Sequence, residues 1–99
     1  MYADLSKAIF EWDELKDAEN RFKHGVSFLT AQQVFLDPRR IITKDSQHSR
    51  IEQRFFCVAR VGNDILTVRF TPRDGAIRII GAGYWRKGRS AYEKENPIH

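Results

Sequence analysis

Between Ile51 and Ala82 the hydrophobic and polar positions alternate with the two-residue period of a β-strand, interrupted twice by turn residues. Gln53 to Arg60 is dense in aromatic and β-branched side chains, and Ile65 to Thr71 follows a Gly62-Asn63-Asp64 turn. Ala76 to Ala82 follows Pro72-Arg73-Asp74-Gly75. Joints this short favour antiparallel hairpins. In the middle strand Leu66, Val68 and Phe70 project to one face, and Thr67, Arg69 and Thr71 to the other. The pattern predicts a sheet with one buried face and one wet face that carries arginines.

Upstream, Ile9 to Trp12 reads as a short strand and Asp13 as a helix N-cap. The helix expected over 14–23 places Glu14 and Asp17 at the positive end of its dipole, and Arg21, Lys23 and His24 at the negative end. Leu15, Ala18 and Phe22 form its expected docking face, and Gly25 its stop. Ser27 caps a second helix with a stripe of Phe28, Ala31, Val34 and Phe35, closed by Asp37-Pro38. Arg39 to Lys44 predicts a short strand and Asp45 to Ser49 a polar loop. Tyr84 to Glu95 predicts a last helix docked by Trp85, Ala91 and Tyr92, with Gly88 as its weakest point. Met1 to Lys7 reads as a loose leader. These elements add up to an α+β fold: a small antiparallel β-sheet with two N-terminal helices and a C-terminal helix.

The 99-residue length supports a single domain over 1–99, and 41% hydrophobic content fits a packed core. No apolar run approaches the roughly 20 residues needed to span a bilayer. The N-terminus has no signal pattern, and the lone Cys57 suits a reducing compartment, so the expected location is cytoplasmic. Charge alters this picture by its placement. Up to Val68 ten basic and ten acidic side chains cancel, whereas from Arg69 on there are seven basic and three acidic. The +4 excess therefore belongs to the last strands and the C-terminal segment. Such a patch suits a polyanion or an acidic protein partner; a solvated basic rim is the plainer alternative.

Conventional enzyme signatures are missing. His24, His48 and Cys57 share no zinc-site spacing, and neither a phosphate-binding glycine loop nor a serine elbow is present. No metal or cofactor is expected. His24 at a helix end is accounted for by the dipole. His48 lies in a polar loop near Asp45 and Glu52, where simple hydrogen bonding explains it as well as catalysis does. What remains is a set of guanidiniums, Arg69, Arg73, Arg78, Arg86 and Arg89, whose rigid forks match phosphate oxygens. Trp85, Tyr84 and Tyr92 lie close by in sequence, as stacking surfaces for unpaired bases or as ordinary packing.

The order of motifs resembles the BrnT toxin family. The likeness runs through Phe10-Glu11-Trp12-Asp13-Glu14-x-Lys16, Asn20-x-x-Lys23-His24-Gly25-Val26-Ser27-Phe28 and Ala31-x-x-Val34-Phe35-x-Asp37-Pro38. It continues in Asp45-x-x-His48-x-x-x-Glu52-x-Arg54-Phe55, Leu66-x-Val68, Thr71-x-Arg73, Arg78-Ile79-Ile80 and Arg89-x-x-Tyr92-Glu93. The resemblance implies a RelE-like fold and the toxin half of a type II toxin–antitoxin pair. It further implies a metal-independent endoribonuclease that inhibits translation. The implied partner is a BrnA-like antitoxin with a ribbon-helix-helix domain, and DNA would be reached only through that complex. In such an enzyme Arg73, Arg78 and Arg89 would stabilise phosphoryl charge. Lys23 and His24 would bind phosphate and move protons, and Glu52 would serve as a base. Arg69, Arg86, Lys87, Trp85 and Tyr92 would hold RNA. One departure stands out: Gly81 and Gly83 replace the serine and arginine that follow the last strand in the family. That loss favours the alternative, a non-catalytic module that binds its antitoxin and acts in operon repression. A general RNA-binding domain is the third reading.

Overall fold

The computed structural model describes residues 8–97; the expected leader over Met1 to Lys7 lies outside them. Strands β1 (Ile9–Glu11), β2 (Ile41–Lys44), β3 (Phe55–Val61), β4 (Asp64–Arg73) and β5 (Ala76–Gly83) form one sheet in the order β1-β5-β4-β3-β2. Three helices, α1 (Glu14–His24), α2 (Phe28–Ala31) and α3 (Arg86–Glu95), accompany it, and α2 runs on into a 3-10 turn over Gln32–Leu36. The α+β class and the three long strands agree with the sequence pattern. The sheet is not wholly antiparallel, however, because β1 pairs in parallel with β5, Glu11 lying opposite Arg78. The β4–β5 turn is tighter than its Pro72 suggests. Pro72 stays in the strand, and Asp74 and Gly75 make the turn with φ of 51° and 80°. Two consecutive positive φ values give a hairpin the twist its strands require.

One face of the sheet is buried as the alternation predicts. Leu66, Val68 and Phe70 join Cys57, Ala59, Ile79 and Ala82 beneath Phe28, Ala31, Val34 and Phe35. Phe70 meets Phe35 edge-on at 5.0 Å between ring centroids and stacks on Phe55 at 5.6 Å. The other face is wet only in part. Helix α3 lies across it and buries Tyr92 against Val58 and Ile65. Trp85 and Ala91, the other expected docking residues, are exposed.

Helix α1 reverses its expected polarity. Asp13 caps it, accepting bonds from the amides of Leu15 (2.8 Å) and Lys16 (3.2 Å), and Gly25 ends it at φ 71°. The apolar positions nevertheless point outward: Leu15 is 75% and Phe22 91% exposed, and Ala18 is exposed as well. Asp17 and Asn20 face inward instead. The Phe28 amide donates to Asp17 Oδ1 at 2.8 Å. Asn20 Nδ2 donates to the Val26 carbonyl at 2.9 Å, and the Ala82 amide donates to Asn20 Oδ1 at 3.1 Å. Backbone groups at the α1–α2 corner and in β5 would otherwise be buried without partners, and that need outweighs apolar transfer here.

Asp37 joins α3 to the sheet. Its carboxylate accepts from the Tyr92 hydroxyl (2.6 Å) and from the amides of Arg60 (2.9 Å) and Arg39 (2.8 Å). Burial alone would raise its pKa, but these bonds and the Arg39 charge hold it below the ordinary 3.8. The folded state thus keeps Asp37 ionised where the unfolded chain already takes up a proton. Its contribution is complete above the ordinary carboxylate range and is lost as pH falls through the folded value. In urea titrations the parent should outlast Asp37→Asn near neutrality, and the gap should close on acidification. A gap that stays constant with pH would contradict this account.

Candidate functional site

The face shared with α3 carries the chemistry. Alternation and register place Thr67, Arg69, Thr71 and Arg73 of β4 there, with Phe56 opposite Arg69 and Arg78 opposite Thr71. Three of the expected guanidiniums, Arg69, Arg73 and Arg78, therefore share one side of the sheet. Each has a carboxylate beside it: Arg69 Nε lies 3.1 Å from Asp45, Arg73 2.8 Å from Glu52, and Arg78 3.8 Å from Glu11. The Arg73 and Arg78 pairs are open to solvent and worth at most about 1 kcal/mol, so they orient the forks without preventing exchange onto a phosphate, whereas Arg69 meets a buried carboxylate.

A cleft of about 640 Å³ opens between this face, the 3-10 turn over Ser46–His48 and the start of α3. Lys44, Asp45, His48, Phe56, Arg69, Trp85 and Lys87 line it. Of the expected RNA-holding residues it gathers Arg69, Lys87 and Trp85. It is not lined by Arg73, Arg78, Arg89, Lys23, His24 or Glu52. Arg89 pairs along its own helix with Glu93 at 3.4 Å, and Lys23 with Glu19 at 4.0 Å. Arg86 and Lys87, in the first turn of α3, have no ion pair among the described residues.

Glu52 bridges Arg73 and, at 3.5 Å, Arg54. The hydrogen bond from Arg73 keeps its pKa below the ordinary range, which suits an ion-pair partner better than a proton acceptor. Tyr92 is only 4% exposed and its hydroxyl is engaged by Asp37, so its ring is not offered to a base. In a second hollow, between Asp37, Arg39, Arg60 and Tyr92, the Asp37 carboxylate is already taken by the Arg39 and Arg60 amides and the Tyr92 hydroxyl. Cys57 is buried, its thiol pKa pushed up to about 12 by desolvation, and it plays no part in the cleft.

Trp85 is placed by what is missing beneath it. A Cβ on Gly83 would stand 2.9 Å from Trp85 Cζ2, so the indole lies over the bare end of β5. Its ring meets that of His24 edge-on at 5.6 Å, which brings the end of α1 to the same neighbourhood. With 39% of its surface exposed, the indole remains available at the cleft wall.

Asp45 and His48 are the residues that sequence reasoning undervalued. Asp45 is 4% exposed, and its Oδ2 lies 2.9 Å from His48 Nδ1 as well as 3.1 Å from Arg69 Nε. The signal was present in the Asp45-x-x-His48 spacing, but only the folded sheet brings Arg69 to the same oxygen.

An arginine-bearing sheet face with a basic helix start defines a small domain suited to polyanions. The family model for the ribonuclease toxin BrnT of type II toxin–antitoxin systems matches residues 12–88. The chain belongs to this family of ribonuclease toxins. A comparison with curated proteins returns no match.

Proposed function

We propose that this toxin cleaves RNA internally without a bound metal, thereby inhibiting translation in the cytoplasm. Its partner would be a BrnA-like antitoxin with a ribbon-helix-helix domain, and operon DNA would be reached only through their complex. The observation that supports the reading is that Arg69, Arg73 and Arg78 share one sheet face, where Arg69 lines a cleft with Lys87 of α3. Fixed guanidiniums can stabilise the charge that builds on a phosphoryl group under attack by the neighbouring 2′-hydroxyl, often the largest catalytic contribution. The Trp85 indole supplies a surface on which a base can stack, worth about 1–3 kcal/mol.

Gly83 supports a second reading, a module that only binds its antitoxin. The arginine that the family resemblance implies there is absent, and a Cβ at that position would press on the Trp85 ring. Induced expression of the chain alone separates the two. On the first reading growth stops and RNA is degraded, and the purified protein keeps cleaving in the presence of a chelator. Arg69→Ala and Arg73→Ala should each lower cleavage by about 100-fold or more and relieve the arrest. Normal growth with intact RNA would leave the binding module.

A further inference from the structure

We propose that His48 is the proton acceptor of the cleavage reaction, held in register with the Arg69 guanidinium by Asp45. The inference deepens the nuclease reading and rests on it. His48 Nδ1 lies 2.9 and 3.1 Å from the two Asp45 oxygens, and a neutral imidazole so placed carries its proton on Nδ1 and donates it to the carboxylate. Nε2 is then a bare lone pair, with no protein partner among the described residues. The ring is half-exposed and lines the cleft, whereas the carboxylate behind it is buried. This is the arrangement in which a carboxylate fixes the tautomer of a working base.

Arg69 completes the argument independently. The same Asp45 Oδ2 that holds His48 also holds Arg69 Nε, 3.1 Å away but without the alignment of a hydrogen bond. Its Nε is buried and unsatisfied, and the side chain lies over the Phe56 ring at 5.2 Å. One buried carboxylate thus fixes both a lone pair and an under-bonded guanidinium at the wall of one cleft. An RNA linkage needs those two groups side by side. The charged groups around His48 are Asp45 from its own turn, Lys44 from β2, Arg69 from β4 and Lys87 from α3.

In the step assigned, Nε2 takes the proton of the 2′-hydroxyl as O2′ forms its bond to phosphorus. The bond from phosphorus to the 5′-oxygen breaks, and that oxygen takes a proton from solvent water. The products are a 2′,3′-cyclic phosphate and a 5′-hydroxyl end, and the imidazolium returns its proton to water. Arg69 faces the non-bridging oxygens.

The test uses the purified full chain and a short single-stranded RNA oligonucleotide. In His48→Asn the side-chain amide nitrogen replaces Nδ1 and keeps the bond to Asp45, but nothing replaces Nε2. Cleavage should fall by about 100-fold or more, while RNA binding and the melting temperature stay close to the parent's. The defect should persist on an RNA whose 5′-leaving oxygen is replaced by sulfur, which departs without protonation. Recovery on that substrate, or a loss of binding that matches the loss of cleavage, would overturn the assignment. The parent's own rate must rise with unit slope along an acidic limb, a reading independent of any variant's folding; a flat profile also overturns it. A parent that cleaves no RNA removes the nuclease reading and this assignment together. A parent that cleaves while His48→Asn cleaves equally well removes His48 alone.

Discussion

Asn20→Ala should cost the protein about 2–4 kcal/mol of stability, read as a lower urea midpoint with an unchanged slope. The side chain is nearly inaccessible and uses both ends of its amide, donating to the Val26 carbonyl and accepting from the Ala82 amide. Truncation leaves one buried acceptor and one buried donor without partners, each costing about 1–3 kcal/mol. Alanine is the better helix former, but by at most about 0.7 kcal/mol, so the lost bonds decide the sign. The two contacts join the α1–α2 corner to the end of β5, beside Gly83 under Trp85. A variant as stable as the parent would show that solvent reaches these groups.

The second large effect is expected at Gly88, where two rules of thumb disagree. Propensity alone makes Gly88→Ala stabilising by about 1 kcal/mol inside α3. The packing makes it destabilising, because a Cβ there would lie 2.1 Å from Thr67 Oγ1, with Thr67 Cβ at 3.4 Å and Val58 Cγ2 at 3.5 Å. Threonine is stiff at χ1 and sits in the sheet, so the helix must move outward; overpacking of this kind costs about 1–3 kcal/mol. A net loss of up to about 2 kcal/mol follows from those ranges. The remedy is specific. Thr67 Oγ1 is buried with no hydrogen-bond partner among the described residues, so Thr67→Ala removes both the obstacle and an unsatisfied hydroxyl. In that background Gly88→Ala should turn stabilising, and a thermal-melting double-mutant cycle reads the coupling. Additive effects would mean that α3 does not rest on Thr67.

These two positions mark how far the sequence could be read. Local rules placed most of the elements, the Pro72 turn apart: Asp13 and Gly25 bracket α1, and alternation from Phe55 to Ala82 places the strands and turns Arg69 away from the core. It failed where a residue answers to a distant part of the chain. Leu15, Ala18 and Phe22 have the spacing of a docking face, yet Asp17 and Asn20 are turned inward by backbone groups at Phe28, Val26 and Ala82 that no helical period reveals. The parallel pairing of β1 is hidden for the same reason. Gly88 looked like a weakness of its helix and is in fact a point of close approach to the sheet. At the candidate site, the arginines announced themselves by composition, and three share a face. Which carboxylate each would meet, and that Asp45 would serve Arg69 and His48 alike, depended on a turn and a strand some twenty residues apart.

The parallel seam between β1 and β5 carries a temporal consequence. Residues 9–11 leave the ribosome early, but the strand that receives them runs to Gly83. Asn20 likewise waits for Ala82, and the basic start of α3 comes later still. Until synthesis has passed Gly83, β1 has no neighbour in the sheet, and until α3 follows, the cleft lacks a wall. The sheet edge and the cleft can therefore close only after α3 has been made.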